Sequence, residues 1–256
     1  MSSTARARGT LRKSESTTPL AFAAPLDPDY PRAMPRPFLW LHVKKCGGQS
    51  MRRALGDDYV QVDRREPARF EDLPREAWND NLNNYRVDLG AYDYRRLVFA
   101  REHLYGPEDF DARFRFTVVR NPFDRAVSCW RFLSRRRGLA RLVPGPSLEA
   151  FLESLPELWE TRSNRHVATH TAPVWPDISD AEGRPLIDVI AHLERIHDDF
   201  AEIVERAGLT PRAFPHENRG PRSDSRESER PTLSRHARAL VEELYADDLE
   251  HLGYDL

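Results

Sequence analysis

Two segments of the chain each pass from an apolar strand through a polar turn into the start of a helix: Phe38-Leu-Trp-Leu-His-Val-Lys-Lys-Cys-Gly-Gly-Gln-Ser50 and Phe116-Thr-Val-Val-Arg-Asn-Pro-Phe-Asp-Arg-Ala-Val-Ser128. Strands alternating with helices in this way predict an α/β fold built on a parallel sheet with helices on both faces. Each turn is also an anion trap. In the first, Gly47 and Gly48 let the backbone approach a ligand without Cβ obstruction. The amides of the following helix start point outward with the positive end of the helix dipole. Lys45 adds a mobile positive charge beside that cradle.

The second turn works differently. Arg120 closes the strand, Asn121 suits the N-cap, Pro122 the first helical position and Asp124 the first turn, where a negative charge is favoured. Ser128 lies about two turns into the helix, so Arg120 and Ser128 can hold one anion between strand end and helix face. Two anion sites on one chain predict a ligand phosphorylated at both ends.

These residues resemble the motifs of the sulfotransferases that use 3′-phosphoadenosine 5′-phosphosulfate (PAPS), nearest to the carbohydrate, Golgi-type branch with its sulfotransferase family 2 domain. Lys45-Cys46-Gly47-Gly48-Gln49-Ser50 is similar to that family's 5′-phosphosulfate loop, and Arg120-Asn121-Pro122-Phe123-Asp124-Arg125 with Ser128 to its 3′-phosphate motif. The loop departs from the family pattern at Lys44, where proline is usual, and at Cys46 and Gln49, where threonine is usual. The resemblance covers residues 38–133 strongly and 164 onward only diffusely. It implies a P-loop-NTPase-like three-layer domain, a central parallel sheet flanked by helices, and sulfuryl transfer from PAPS to an acceptor hydroxyl on a carbohydrate or glycolipid. No metal is required by that scheme.

Sulfuryl transfer depends on placing an acceptor oxygen in line with the leaving group and stabilising the charge that develops there. Lys45 and the loop amides are expected to do this for the 5′-phosphate, with a hydrogen bond from Ser50. Arg120 and Ser128 are expected to anchor the 3′-phosphate. For the acceptor proton, His103 is the expected general base, because an imidazole titrating near neutrality suits the task and the residue follows a predicted strand. The family often has Gly-His at this place; the chain has Glu102-His103, and Glu102 competes for the same role or orients the histidine.

Other residues carry weaker signals. His166 and His170 are spaced to share one helix face, which suits a metal but supplies no third ligand. Arg135, Arg136, Arg137 and Arg141 read as a solvated face or as a patch for an anionic acceptor. By resemblance, Arg219-Gly220 closes over the nucleotide.

The 256 residues suffice for one domain with a substantial core. Their 39 basic and 41 acidic side chains give a net charge of −2, which does not suit a nucleic-acid-binding protein. Only Lys13, Lys44 and Lys45 are lysines, so two adjacent lysines at the loop stand out. Cys46 and Cys129 are too few for a disulfide framework or structural zinc site; Cys46 reads first as a small residue packed in the turn, and second, at a helix start beside Lys45, as a thiol of lowered pKa. No apolar run approaches the roughly 20 residues that span a bilayer, and the expectation is a soluble, cytoplasmic enzyme. The oligomeric state is not legible.

Residues 1–36, rich in Ser, Thr, Pro and Arg, read as a flexible extension, and 37–256 as the α/β domain. Within it, strands are predicted over 38–43, 96–100, 114–119 and 186–193. Helices are predicted over 49–55, 72–82, 122–133, 148–155, 195–207 (stopped by Gly208) and 234–251, with a charged loop over 215–231. A Walker-type kinase loop needs lysine after its glycines; here Lys45 precedes them. The remaining alternative is a nucleotide-binding protein that kept the fold and lost the chemistry.

Overall fold

The computed structural model describes residues 37–135, 147–210, 213–215 and 233–254. The expected extension over 1–36, most of the 215–231 loop with Arg219-Gly220, and Arg136, Arg137 and Arg141 lie outside them. Among the described residues, three strands form one parallel sheet in the order β1-β2-β3: β1 is Phe38–Leu41, β2 is Phe114–Val119 and β3 is Val189–His192. Phe38 aligns with Phe114, and Phe116 with Val189; β2 and β3 end level, at Val119 and His192, and β1 ends two residues earlier, with Leu41 opposite Thr117. The central strand buries Phe114, Phe116, Val118 and Val119. Near-continuous apolar runs of this kind are what a parallel sheet covered by helices requires.

The helices in chain order are α1 (Gly48–Leu55), α2 (Trp78–Leu82), α3 (Arg96–Phe99), α4 (Pro107–Ala112), α5 (Pro122–Arg135), α6 (Leu148–Glu153), α7 (Leu155–Thr161), α8 (Arg165–Thr171), α9 (Trp175–Ile178), α10 (Ile196–Ala207), α11 (Arg235–Leu244) and α12 (Ala246–His251). Gly208 ends α10 in the left-handed conformation that stops a helix without Cβ strain. A second apolar cluster, with Leu133, Phe151, Leu155 and Val241 buried, joins α5, α6, α7 and α11.

The predicted strand over 96–100 is helical: α3 runs into a π-helical turn, Ala100–Tyr105. An apolar run this short reads equally well as a strand or a buried helix, and a distant partner decides. Asp177 accepts from the Arg96 backbone N–H (2.9 Å) and from its guanidinium (2.9 and 3.1 Å), capping the helix start. The single helix expected over 234–251 breaks at Tyr245, whose hydroxyl donates to the Thr171 carbonyl at 2.7 Å. Among the described residues no helix is long and apolar enough to cross a membrane.

Candidate active site

At the carboxyl end of β1 the chain enters a loop with two left-handed residues, Lys45 (φ 67°) and Gly47 (φ 75°), before α1 begins at Gly48. A non-glycine residue held at positive φ carries strain of about 1–3 kcal/mol and is found where function fixes the backbone. No side chain caps α1 at Gly47, and its first turn contains no acidic residue, so the positive end of the helix dipole keeps its field. Lys45 Nζ sits 4.3 Å from the centre of the Phe132 ring, a cation–π contact.

The second turn lies one strand away. Asn121 Oδ1 accepts from the Phe123 N–H at 3.0 Å, closing the start of α5 as its sequence predicts. Arg120 and Ser128 share one cavity with Lys45, Gly47, Gly48, Gln49 and Ser50. That cavity has a volume of about 720 Å³, and the two predicted anion sites occupy the same space above the sheet. Phe132, Leu193, Ile196 and Phe214 form its apolar wall, and His42, Lys44, His170, Glu194 and His197 add polar groups.

Most of these were missed in the sequence, where Lys44 stands out only as one of two adjacent lysines and His170 only as half of a metal pair. His42 and Lys44 flank the loop, but nothing in their spacing marks them as cavity residues. Phe132 and His170 come from different helices and stack at 5.1 Å. His166 and His170 also stack, at 4.5 Å, and His170 Nδ1 bonds to the His166 carbonyl at 2.7 Å. Burial pushes the His170 pKa well below its ordinary value.

Glu194 follows β3 by two residues. It accepts from the Asn121 backbone N–H (2.8 Å) and from the Tyr254 hydroxyl (3.0 Å), tying the start of α5 to the chain's last described turn. Arg125, from the second motif, is buried. It reaches the carbonyls of Lys44 (3.4 Å), His170 (3.3 Å) and Ala172 (2.8 Å), so it braces the first loop against α8.

Cys46 turns into the core, 1 % exposed, and is not among the cavity's lining residues. Burial raises its thiol to about 12, the reverse of the shift expected from its place at a helix start. His103 and Glu102 sit on the π-helical turn rather than beyond a strand. They are about half exposed, 3.8 Å apart, with Tyr92 donating to Glu102 at 3.0 Å. Neither lines the cavity.

No curated protein and no solved structure matches the chain. The model described as the sulfotransferase family matches residues 32–255, which includes both turns, the cavity and the helices that wall it. The chain belongs to the sulfotransferase family.

Proposed function

We propose that this sulfotransferase uses PAPS as donor and transfers its sulfuryl group to a hydroxyl of an acceptor, a carbohydrate or glycolipid, on a P-loop-like domain. The observation that carries this reading is the shared cavity. Lys45 with its glycine turn and Arg120 with Ser128 line it together, as a ligand phosphorylated at both ends demands.

In this reading the α1 amides, Lys45 and Ser50 hold the 5′-phosphate and stabilise its charge as it leaves. Arg120 and Ser128 grip the 3′-phosphate through charge-assisted bonds. Ile196, His197 and Phe214 offer an apolar and aromatic wall for the adenine. The resemblance assigns the general base to His103 with Glu102 as competitor, a role the lining of the cavity does not favour.

Calorimetry with 3′-phosphoadenosine 5′-phosphate (PAP) against ATP tests the donor. PAP is expected to bind and ATP to bind at least tenfold more weakly; the opposite order removes the reading. Transfer of radiolabelled sulfate from PAPS across a panel of glycans and glycolipids tests the acceptor.

A further inference from the structure

Lys44 is a buried lysine whose head meets no carboxylate among the described residues. It is 5 % exposed, and its nitrogen donates to the Asn83 carbonyl at 2.8 Å and lies 3.3 Å from His42 Nδ1. The acidic groups that act on it, Asp80 and Asp177, are already engaged: Asp80 by Arg52, Arg64 and Tyr59, Asp177 by Arg96. Two basic nitrogens thus face each other at the lip of the phosphosulfate loop, at the position where the resembled motif has proline.

The pair has two states that differ by one proton and in the tautomer of His42. If Lys44 is an ammonium, it donates to Nδ1 and His42 shows the cavity an N–H. If Lys44 is a neutral amine, it accepts from Nδ1–H and His42 shows the cavity a lone pair on Nε2. Burial, with Arg52 and Arg96 nearby, pushes both groups well below their ordinary pKa values, a shift in the direction of the second state. His42 is otherwise faced by Trp40, stacked at 5.0 Å, by Gly48 and by the Asn83 side chain that accepts from its backbone N–H at 2.7 Å, and the His170 imidazole also lowers its pKa.

We propose that His42 is the general base of the reaction and that Lys44 is its positioning residue and final proton acceptor; the proposal rests on the donor site described above. The acceptor hydroxyl gives its proton to His42 Nε2 as its oxygen bonds to sulfur. Nδ1–H passes to the Lys44 amine. The bond between sulfur and the 5′-phosphate oxygen breaks, and its electron pair stays on that oxygen. The proton therefore ends on Lys44, the residue before Lys45 of the loop, as the new negative charge appears on the 5′-phosphate.

PAP is the product, so its binding reports on that state without any acceptor. Calorimetry at pH 8, where phosphate monoesters are fully ionised, in two buffers of different ionisation enthalpy, counts protons taken up. Wild type is expected to take up about one proton on binding PAP; Lys44→Met is expected to bind PAP and take up none. Release of labelled sulfate from PAPS to water is expected to fall about 100-fold or more in His42→Asn, with PAP binding retained. Proton uptake that persists in Lys44→Met, normal turnover in His42→Asn, or loss confined to His103→Ala or His170→Asn overturns the proposal. PAP bound without proton uptake overturns this proposal alone, whereas failure of wild type to bind PAP removes the donor site and the proposal with it.

Discussion

The His42 ring lies on Gly48: a Cβ built on that glycine would come 1.8 Å from Nε2. The ring cannot swing away cheaply, because Trp40 stacks on it and Lys44 lies on its far nitrogen. Gly48→Ala is therefore expected to cost about 1–3 kcal/mol through overpacking and to weaken PAP binding at least tenfold by displacing the ring into the cradle. Gly47→Ala meets only the flexible tip of Leu193 at 2.8 Å but must hold φ 75°, so its cost is about 1 kcal/mol of backbone strain. Thermal melting and calorimetry on both variants check this. A Gly48→Ala protein that melts and binds like wild type would show the ring to be loosely held.

Arg120 and Ser128 touch the cavity from the strand end and from the second turn of α5, where a 3′-phosphate is proposed to lie. A hydrogen bond to a charged group is worth about 1.5–3 kcal/mol, or roughly 10–100-fold in affinity. Arg120→Ala is expected to lose that much affinity for PAP, and Ser128→Ala a smaller part of it, while binding of adenosine 5′-phosphate, which has no 3′-phosphate, stays within threefold. Equal losses for both nucleotides would place Arg120 at the other end of the ligand.

Both turns were legible because their chemistry is local. In the first turn a glycine at positive φ, Gly47, and in the second a proline at the first helical position with an asparagine before it, each act within a few residues of their own turn. The apolar runs around them needed no distant partner to be read as strands. The segment at Arg96 failed for the opposite reason, since Asp177, 81 positions away, turns it into a helix start. His42 and Lys44 were opaque in the same way. What makes them chemically unusual is Asn83, about forty residues on, which fixes the His42 backbone and receives the Lys44 head. His103 resembles a family position, yet the π-helical turn that carries it leaves its side chain about half exposed and outside the cavity.

The same burial gives the fold a pH dependence. His42 and His170 titrate well below 6.5 in the folded protein, and near 6.5 when unfolded. Between those values the unfolded chain binds more protons, so stability rises with pH and is fully present above about 6.5. As pH falls below that value the contribution is progressively lost. Melting temperature is expected to fall from pH 7 toward pH 5 more steeply in wild type than in a His42→Asn, His170→Asn double variant. Parallel profiles would mean that neither ring is held neutral by burial.

Asp80 supports the site from behind. Fully buried, it accepts from Arg52 (2.8 Å), Arg64, the Tyr59 hydroxyl (2.9 Å) and the Val62 N–H (3.0 Å), fastening the segment after α1 to α2. Removing one partner of a buried ion pair typically costs about 3–5 kcal/mol because the other charges are left uncompensated, and Asp80→Ala strands two guanidinium groups at once. Denaturant unfolding is expected to show a loss of that size. Asp80 also raises the affinity of Lys44 for its proton, so its loss should make the amine still harder to protonate. The milder Asp80→Asn variant separates the two effects: it keeps the shape and some of the hydrogen bonds, and it should reduce proton uptake on PAP binding at pH 8 by more than its stability loss would explain. An unchanged proton count in a well-folded Asp80→Asn protein would uncouple Asp80 from Lys44 and leave it a purely structural anchor.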